Sequence, residues 1–146
     1  MGCAHQDKIL KIGFTSITSL HKGIVKEILL KNYPQPSTVL FKKKIFEELG
    51  GFDEKQRYAE DGNWFLKICA KYNLFYLPKQ LVYYGEGKQG FGESGLSANL
   101  KAMYVGNIKN LDEMFASNNI NVIEYLMFRA MYWLKYVRRI VLTKVK

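Results

Sequence analysis

Two adjacent carboxylates, Glu60 and Asp61, follow the run Gly50-Gly51-Phe52-Asp53-Glu54 after a brief polar loop. They stand where apolar spacing predicts that a helix begins. A carboxylate at a helix N-terminus is fixed in direction and kept ionised by the helix dipole. Within hydrogen-bond reach of a hydroxyl, it takes the proton as that oxygen forms a new bond. Asp61 has these features, and Glu60 beside it can orient a hydroxyl or pair with a cation such as Arg57. Acidic residues are also ordinary helix starters, so the pair reads as well as an Asp61 cap next to a solvated Glu60. Trp64, one turn on, is either a platform for the C–H face of a sugar or part of the core.

A second candidate is the glycine-rich stretch Gly85 to Ser97. It contains Gly85-x-Gly87-x-x-Gly90, but no βαβ unit with a ribose-binding acid follows, so a dinucleotide fingerprint is not supported. A loop of this length and composition suits a lid over a pyrophosphate. Lys88 would then neutralise charge, with Gly90, Gly92 and Ser94 lending backbone or hydroxyl groups. A solvated surface loop is the alternative.

The elements that would position these groups can be read from periodicity and breakers. Ile9 to Thr18 predicts one or two short strands, and Ser19 could cap a helix over His21 to Lys31. Pro34 and Pro36 break it, and Ser37 to Phe41 predicts a short buried strand. Lys42 to Leu49 predicts a basic helix closed by Gly50-Gly51, and Asp61 to Tyr72 a helix with an apolar stripe. Leu74 to Leu77 and Leu81 to Tyr84 predict two small strands flanking Pro78-Lys79, and helices are expected over Ala98 to Ser117 and Val122 to Val141. The resulting class is mixed α/β (α+β), with residues 1–97 as one part and a helical tail over 98–146.

With 146 residues, 48% hydrophobic and 14% aromatic, the chain can build a core. Its 22 Lys and Arg against 13 Asp and Glu give 22 − 13 = +9, which favours anionic partners. Nucleic acid is not the expected partner, because the aromatics follow apolar helical stripes rather than a strand platform. Two cysteines, Cys3 and Cys69, are too few for a disulfide framework, and a reduced cytoplasmic setting is expected. His5 and His21 lack ligand spacing, which argues against a metal hydrolase. No uncharged apolar stretch of about 18 residues exists. Met1 to Gln6 does not begin a signal peptide, and Gln6 stands where a myristoylation pattern needs Ser or Thr.

From Val122 the tail is rich in large apolar and aromatic residues, with Glu124, Lys135, Arg138 and Arg139 gathered on one side of the helical wheel. This predicts either an in-plane helix on an anionic membrane surface or a helix packed against protein.

The order of these segments from Asn32 to Ser97 resembles the acceptor-side half of family 2 inverting glycosyltransferases. Ser37-Thr38-Val39-Leu40-Phe41 looks like the strand carrying hydroxyl residues at the acceptor cleft, and Lys42 to Phe46 like the short basic helix. Gly50 to Glu54 and Glu60-Asp61 look like the family's signature, and Leu66-Lys67 stands where members often carry Leu-Arg. The resemblance implies a partial Rossmann-like domain with Asp61 as the base that activates the acceptor hydroxyl. It implies Glu60 beside that base, and Trp64, Ser37 and Thr38 toward the acceptor. Lys88, Gly90, Gly92 and Ser94 would belong to the donor lid. The implied partners are a nucleotide-sugar donor and a saccharide or lipid-linked acceptor, at the inner face of the cytoplasmic membrane. The full family fold uses a divalent metal, Mg or Mn, held by an Asp-x-Asp motif, and none of the 13 acidic residues here makes that spacing. The expectation is therefore a glycosyltransferase fragment without its donor half, which a separate N-terminal half would supply. The alternative is a non-catalytic basic membrane-surface or interaction module.

Overall fold

A computed structural model describes residues 1–5, 9–83 and 95–144. The described chain is mixed α/β, and its residues divide into two compact units, Met1–Asp53 with Asp61–Gly85 and Glu54–Glu60 with Glu86–Lys146.

In the first unit, three strands form one sheet in the order β1 (Gly2–His5), β5 (Leu74–Val82), β4 (His21–Gly23). β1 runs parallel to β5 and β4 antiparallel to it. A separate two-stranded hairpin joins β2 (Lys11–Ile12) and β3 (Thr15–Ser16), as the alternation from Ile9 predicts. β1 has no counterpart in the sequence reading. Four residues carry too little pattern, and their strand character comes from pairing with a segment some seventy positions on.

The two small strands expected around Pro78 are one strand. The partner of Cys3 is Leu77 and that of Ala4 is Gln80, so Pro78 and Lys79 fall in the register break between them. Proline is tolerated in a central strand at such a bulge, where its missing N–H is not asked for a ladder bond. The strand expected over Ser37 to Phe41 is absent. Pro36–Thr38 forms a 3-10 turn, with proline at its start and the Thr38 hydroxyl donating to the Gln35 carbonyl (2.7 Å). Only Val39 bridges to Gly2, and Leu40 N–H donates to the Met1 carbonyl. The helix expected from His21 is also shorter. His21–Gly23 belongs to the sheet, and α1 covers Val25–Leu30.

Helices α2 (Lys43–Leu49) and α3 (Glu60–Lys71) follow the predicted pattern. Gly50 ends α2 at φ +72°, a left-handed conformation that glycine adopts without steric cost. α3 buries Trp64, Phe65, Leu66 and Ile68 with Ile28, Leu29, Leu74 and Tyr76 in the core of this unit. The Tyr33 and Tyr76 rings meet edge to face, with centroids 5.8 Å apart.

Both cysteines are free thiols: Cys3 is buried in β1, and Cys69 is half-buried in α3, where its Sγ donates to the Gly23 carbonyl (3.3 Å). Burial pushes the Cys69 thiol up to about 11, Glu27 adds to the shift and Lys22 opposes it. The thiolate fraction at neutral pH is correspondingly small. Folded protein should react with a disulfide reagent at Cys69 on the order of 100-fold more slowly than denatured protein. Comparable rates in the two states would contradict this placement.

The second unit is a helical hairpin, α4 (Leu100–Ala116) and α5 (Val122–Lys144), with the segment Glu54–Glu60. Asn118, at φ +57°, closes α4: its N–H donates to Phe115 O and that of Asn119 to Met114 O. These are the two bonds of a Schellman cap, and asparagine tolerates the left-handed position. Asn121 and Glu124 then make a reciprocal capping box, Glu124 N–H to Asn121 Oδ1 (2.9 Å) and Asn121 N–H to Glu124 Oε2 (3.0 Å). Antiparallel packing brings Tyr104 onto Tyr136 (centroids 4.9 Å) and Phe115 onto Tyr125 (4.7 Å). Leu111, Met114, Ile120 and Phe128 form the apolar core here.

Candidate functional site

Glu60 and Asp61 open α3, both half-buried. Asp61 Oδ1 accepts from the Gly62 N–H (2.7 Å), and Oδ2 from Asn32 Nδ2 at a long 3.5 Å. Asn32 lies against this helix start, since a Cβ on Gly62 would meet its amide at 3.2 to 3.4 Å. Among the described residues neither Glu60 nor Asp61 enters an ion pair, so the pairing of Glu60 with Arg57 is not made. Asp61 is thus a positioned carboxylate with one weak side-chain partner among the described residues.

Trp64 lies in the core. It is 3% exposed, its Nε1 donates to the Gly50 carbonyl (2.8 Å), and Phe41 and Phe52 stand edge-on to it with centroids at 4.7 and 5.4 Å. No ring face is left for a sugar, and the platform expected of it is corrected to a structural role. It pins the Gly50-Gly51 turn to α3. Thr38 is buried with its hydroxyl committed to Gln35, whereas Ser37 is exposed. Lys88, Gly90, Gly92 and Ser94 lie outside the described residues.

Two cavities are lined by none of Ser37, Thr38, Glu60, Asp61 and Trp64. One, of about 300 Å³, lies beside the β2–β3 hairpin and is lined by His21 and Glu27 among others. Glu27 Oε2 there gathers His21 Nε2 (2.8 Å), the Tyr33 hydroxyl (3.0 Å) and the Ile24 N–H (3.2 Å). Hydrogen bonding of this density makes Glu27 a structural hub at the start of α1.

The other, of about 450 Å³, belongs to the helical unit, between Lys55–Tyr58 and the first turns of α4. Among the described residues four cations line it, Lys55, Arg57, Lys101 and Lys109, and no carboxylate does. The sequence reading missed it. Its one advance signal is Gly106, a glycine inside a long helix, which marks a close approach. A Cβ there would stand 2.3 Å from the Tyr58 carbonyl oxygen, so only glycine lets this segment lie on α4.

Among the described residues no group of three His, Cys, Asp or Glu could hold a metal ion, and no helix is long and apolar enough to cross a membrane. No protein-family model, curated protein or solved structure matches the chain.

Proposed function

We propose that this chain supplies the acceptor side of a family 2 type inverting glycosyltransferase, as part of a Rossmann-like enzyme whose donor half lies outside these residues. The observation that carries the reading is the Asp61 carboxylate, opening α3 after the Gly50-Gly51 turn with Asn32 and the Gly62 N–H as its hydrogen-bond partners among the described residues. Asp61 takes the proton of an acceptor hydroxyl while that oxygen attacks the anomeric carbon, and the nucleoside diphosphate leaves with the bonding electrons. Glu60 stands beside it to orient a hydroxyl. Among the described residues no group of three His, Cys, Asp or Glu could hold a metal ion, and no step here passes through one.

The test is transfer of labelled sugar from UDP- and GDP-sugars to lipid or saccharide acceptors in membranes of cells carrying the chain. Transfer that depends on Asp61 supports the reading. Transfer by the purified chain unaided would sink the donor-less assignment, and undiminished transfer by Asp61→Asn would sink the role of the base.

A second reading, attachment to an anionic membrane surface, is favoured by the exposed side of α5. Val122, Ile123, Leu126, Met127, Ala130, Trp133, Leu134, Val137 and Val141 are all exposed, Ile123 at 79%. At 100° per residue they fall within about 140° of the wheel. Arg129 and Arg138 border this arc, one on each edge, and Lys144 extends it. An apolar face edged by cations suits a helix lying in the lipid interface, with the long basic side chains reaching headgroups. Leu134→Glu should weaken sedimentation with phosphatidylglycerol vesicles roughly 10-fold or more. Equal sedimentation of variant and parent would assign the face to a protein partner.

A further inference from the structure

We propose that the cavity between Lys55–Tyr58 and the start of α4 binds the phosphate group of a small, hydroxyl-bearing phosphate ester. It lies wholly in the helical unit and does not depend on the glycosyl-transfer reading.

Three observations converge on it. Lys55, Arg57, Lys101 and Lys109 face one space of about 450 Å³, and among the described residues no carboxylate lines it. Lys109 also reaches Glu113 at 3.8 Å, one turn along the helix and outside the lining. Gathering like charges in this way favours an anion between them. The same space receives the N-terminus of a 17-residue helix, capped by Asn99 through the Ala102 N–H (3.0 Å), whose dipole adds to the positive potential.

The third observation says what else the ligand carries. Gln56 lines the cavity and is 7% exposed. Its Nε2 faces three acceptors, the carbonyls of Tyr58 (3.0 Å) and Ala59 (3.3 Å) and Asn110 Oδ1 (2.8 Å). That arrangement fixes the amide orientation, because the flipped oxygen would face only acceptors. Its Oε1 has no hydrogen-bond partner among the described residues. A buried acceptor without a donor costs free energy until one arrives. Inorganic phosphate near neutral pH has only its own P–OH groups to offer, and these are held among the cations, so a hydroxyl on the carbon chain of an ester is the better-placed donor. The volume falls in the range of small-molecule sites. The floor is preformed, since Gly106, Gln56 and Asn110 hold this segment against α4.

Calorimetry of the full chain at low salt with inorganic phosphate and glycerol 3-phosphate is the test. Both should saturate, with glycerol 3-phosphate the tighter. Arg57→Ala and Lys101→Ala, at exposed positions that leave the core intact, should each weaken binding about tenfold. Lys135→Ala, on α5 away from the cavity, should not. Two sources of the ester are separated by adding phosphatidylglycerol vesicles. Displacement of glycerol 3-phosphate makes a lipid headgroup the source, and vesicle binding without displacement makes it a soluble ester. Failure of both probes to saturate, or an equal loss in Lys135→Ala, overturns the site. Equal affinities for the two probes overturn the part assigned to Gln56.

Discussion

Asn110→Ala is expected to lower the melting temperature of the helical unit by about 10 °C, corresponding to a loss of about 2 kcal/mol. Asn110 is 2% exposed and bonds across the unit: Oδ1 accepts from Gln56 Nε2, and Nδ2 donates to the Ala59 carbonyl (2.9 Å). Alanine removes both bonds and leaves a void. Gln56 and Ala59 keep a bond to each other at 3.3 Å, which holds the loss below that of a fully stranded pair. The network is also what holds Glu54–Glu60 on α4, so the same variant should weaken phosphate binding at the cavity. A double-mutant cycle with Gln56→Leu checks the assignment. The two losses should fall short of additivity by about 1 kcal/mol, as expected of side chains in one hydrogen-bond network. Strict additivity, or an Asn110→Ala that melts with the parent, would show that the amides are not coupled.

How much of this was legible in the sequence depends on the distance over which each feature is determined. α2 to α5 could be read because their signals are local: apolar spacing of 3.6, the glycine after Leu49, and the polar stop at Asn118-Asn119. β1 and the continuity of β5 through Pro78 could not, because both depend on the register between Gly2–His5 and Tyr76–Val82. Trp64 shows the limit for a site residue. Its spacing fits a cleft and a core alike, and only the carbonyl of Gly50 and the rings of Phe41 and Phe52 decide for the core. The basic cavity lies further out of reach. Lys55-Gln56-Arg57-Tyr58 reads as an ordinary polar loop, and its meaning appears once Asn110, 54 positions on, is found bonded to Gln56. Asp61 was legible in position, at the start of a helix after a glycine turn, while its partner Asn32 was not.

Asp61→Asn is expected to reduce sugar transfer by on the order of 1,000-fold in kcat, with KM for the acceptor changed little. The substitution keeps the size of the side chain and an oxygen that can accept from the Gly62 N–H, so the first turn of α3 retains its hydrogen bond. It removes the charge, and with it the capacity to take a proton. The loss of interaction with the helix dipole is small, about 0.5 kcal/mol, and melting should be nearly unchanged. Asp61→Ala separates the two roles. It removes both the hydrogen bond to the Gly62 N–H and the base, so it should melt lower than Asp61→Asn by about 1 kcal/mol and transfer no more slowly. If Asp61 only holds the helix start, Asp61→Asn keeps its activity, and only Asp61→Ala is impaired, through stability. Glu60→Gln should cost much less than Asp61→Asn, because a glutamine can still orient a hydroxyl. Equal losses at the two positions would move the base from Asp61 to the pair.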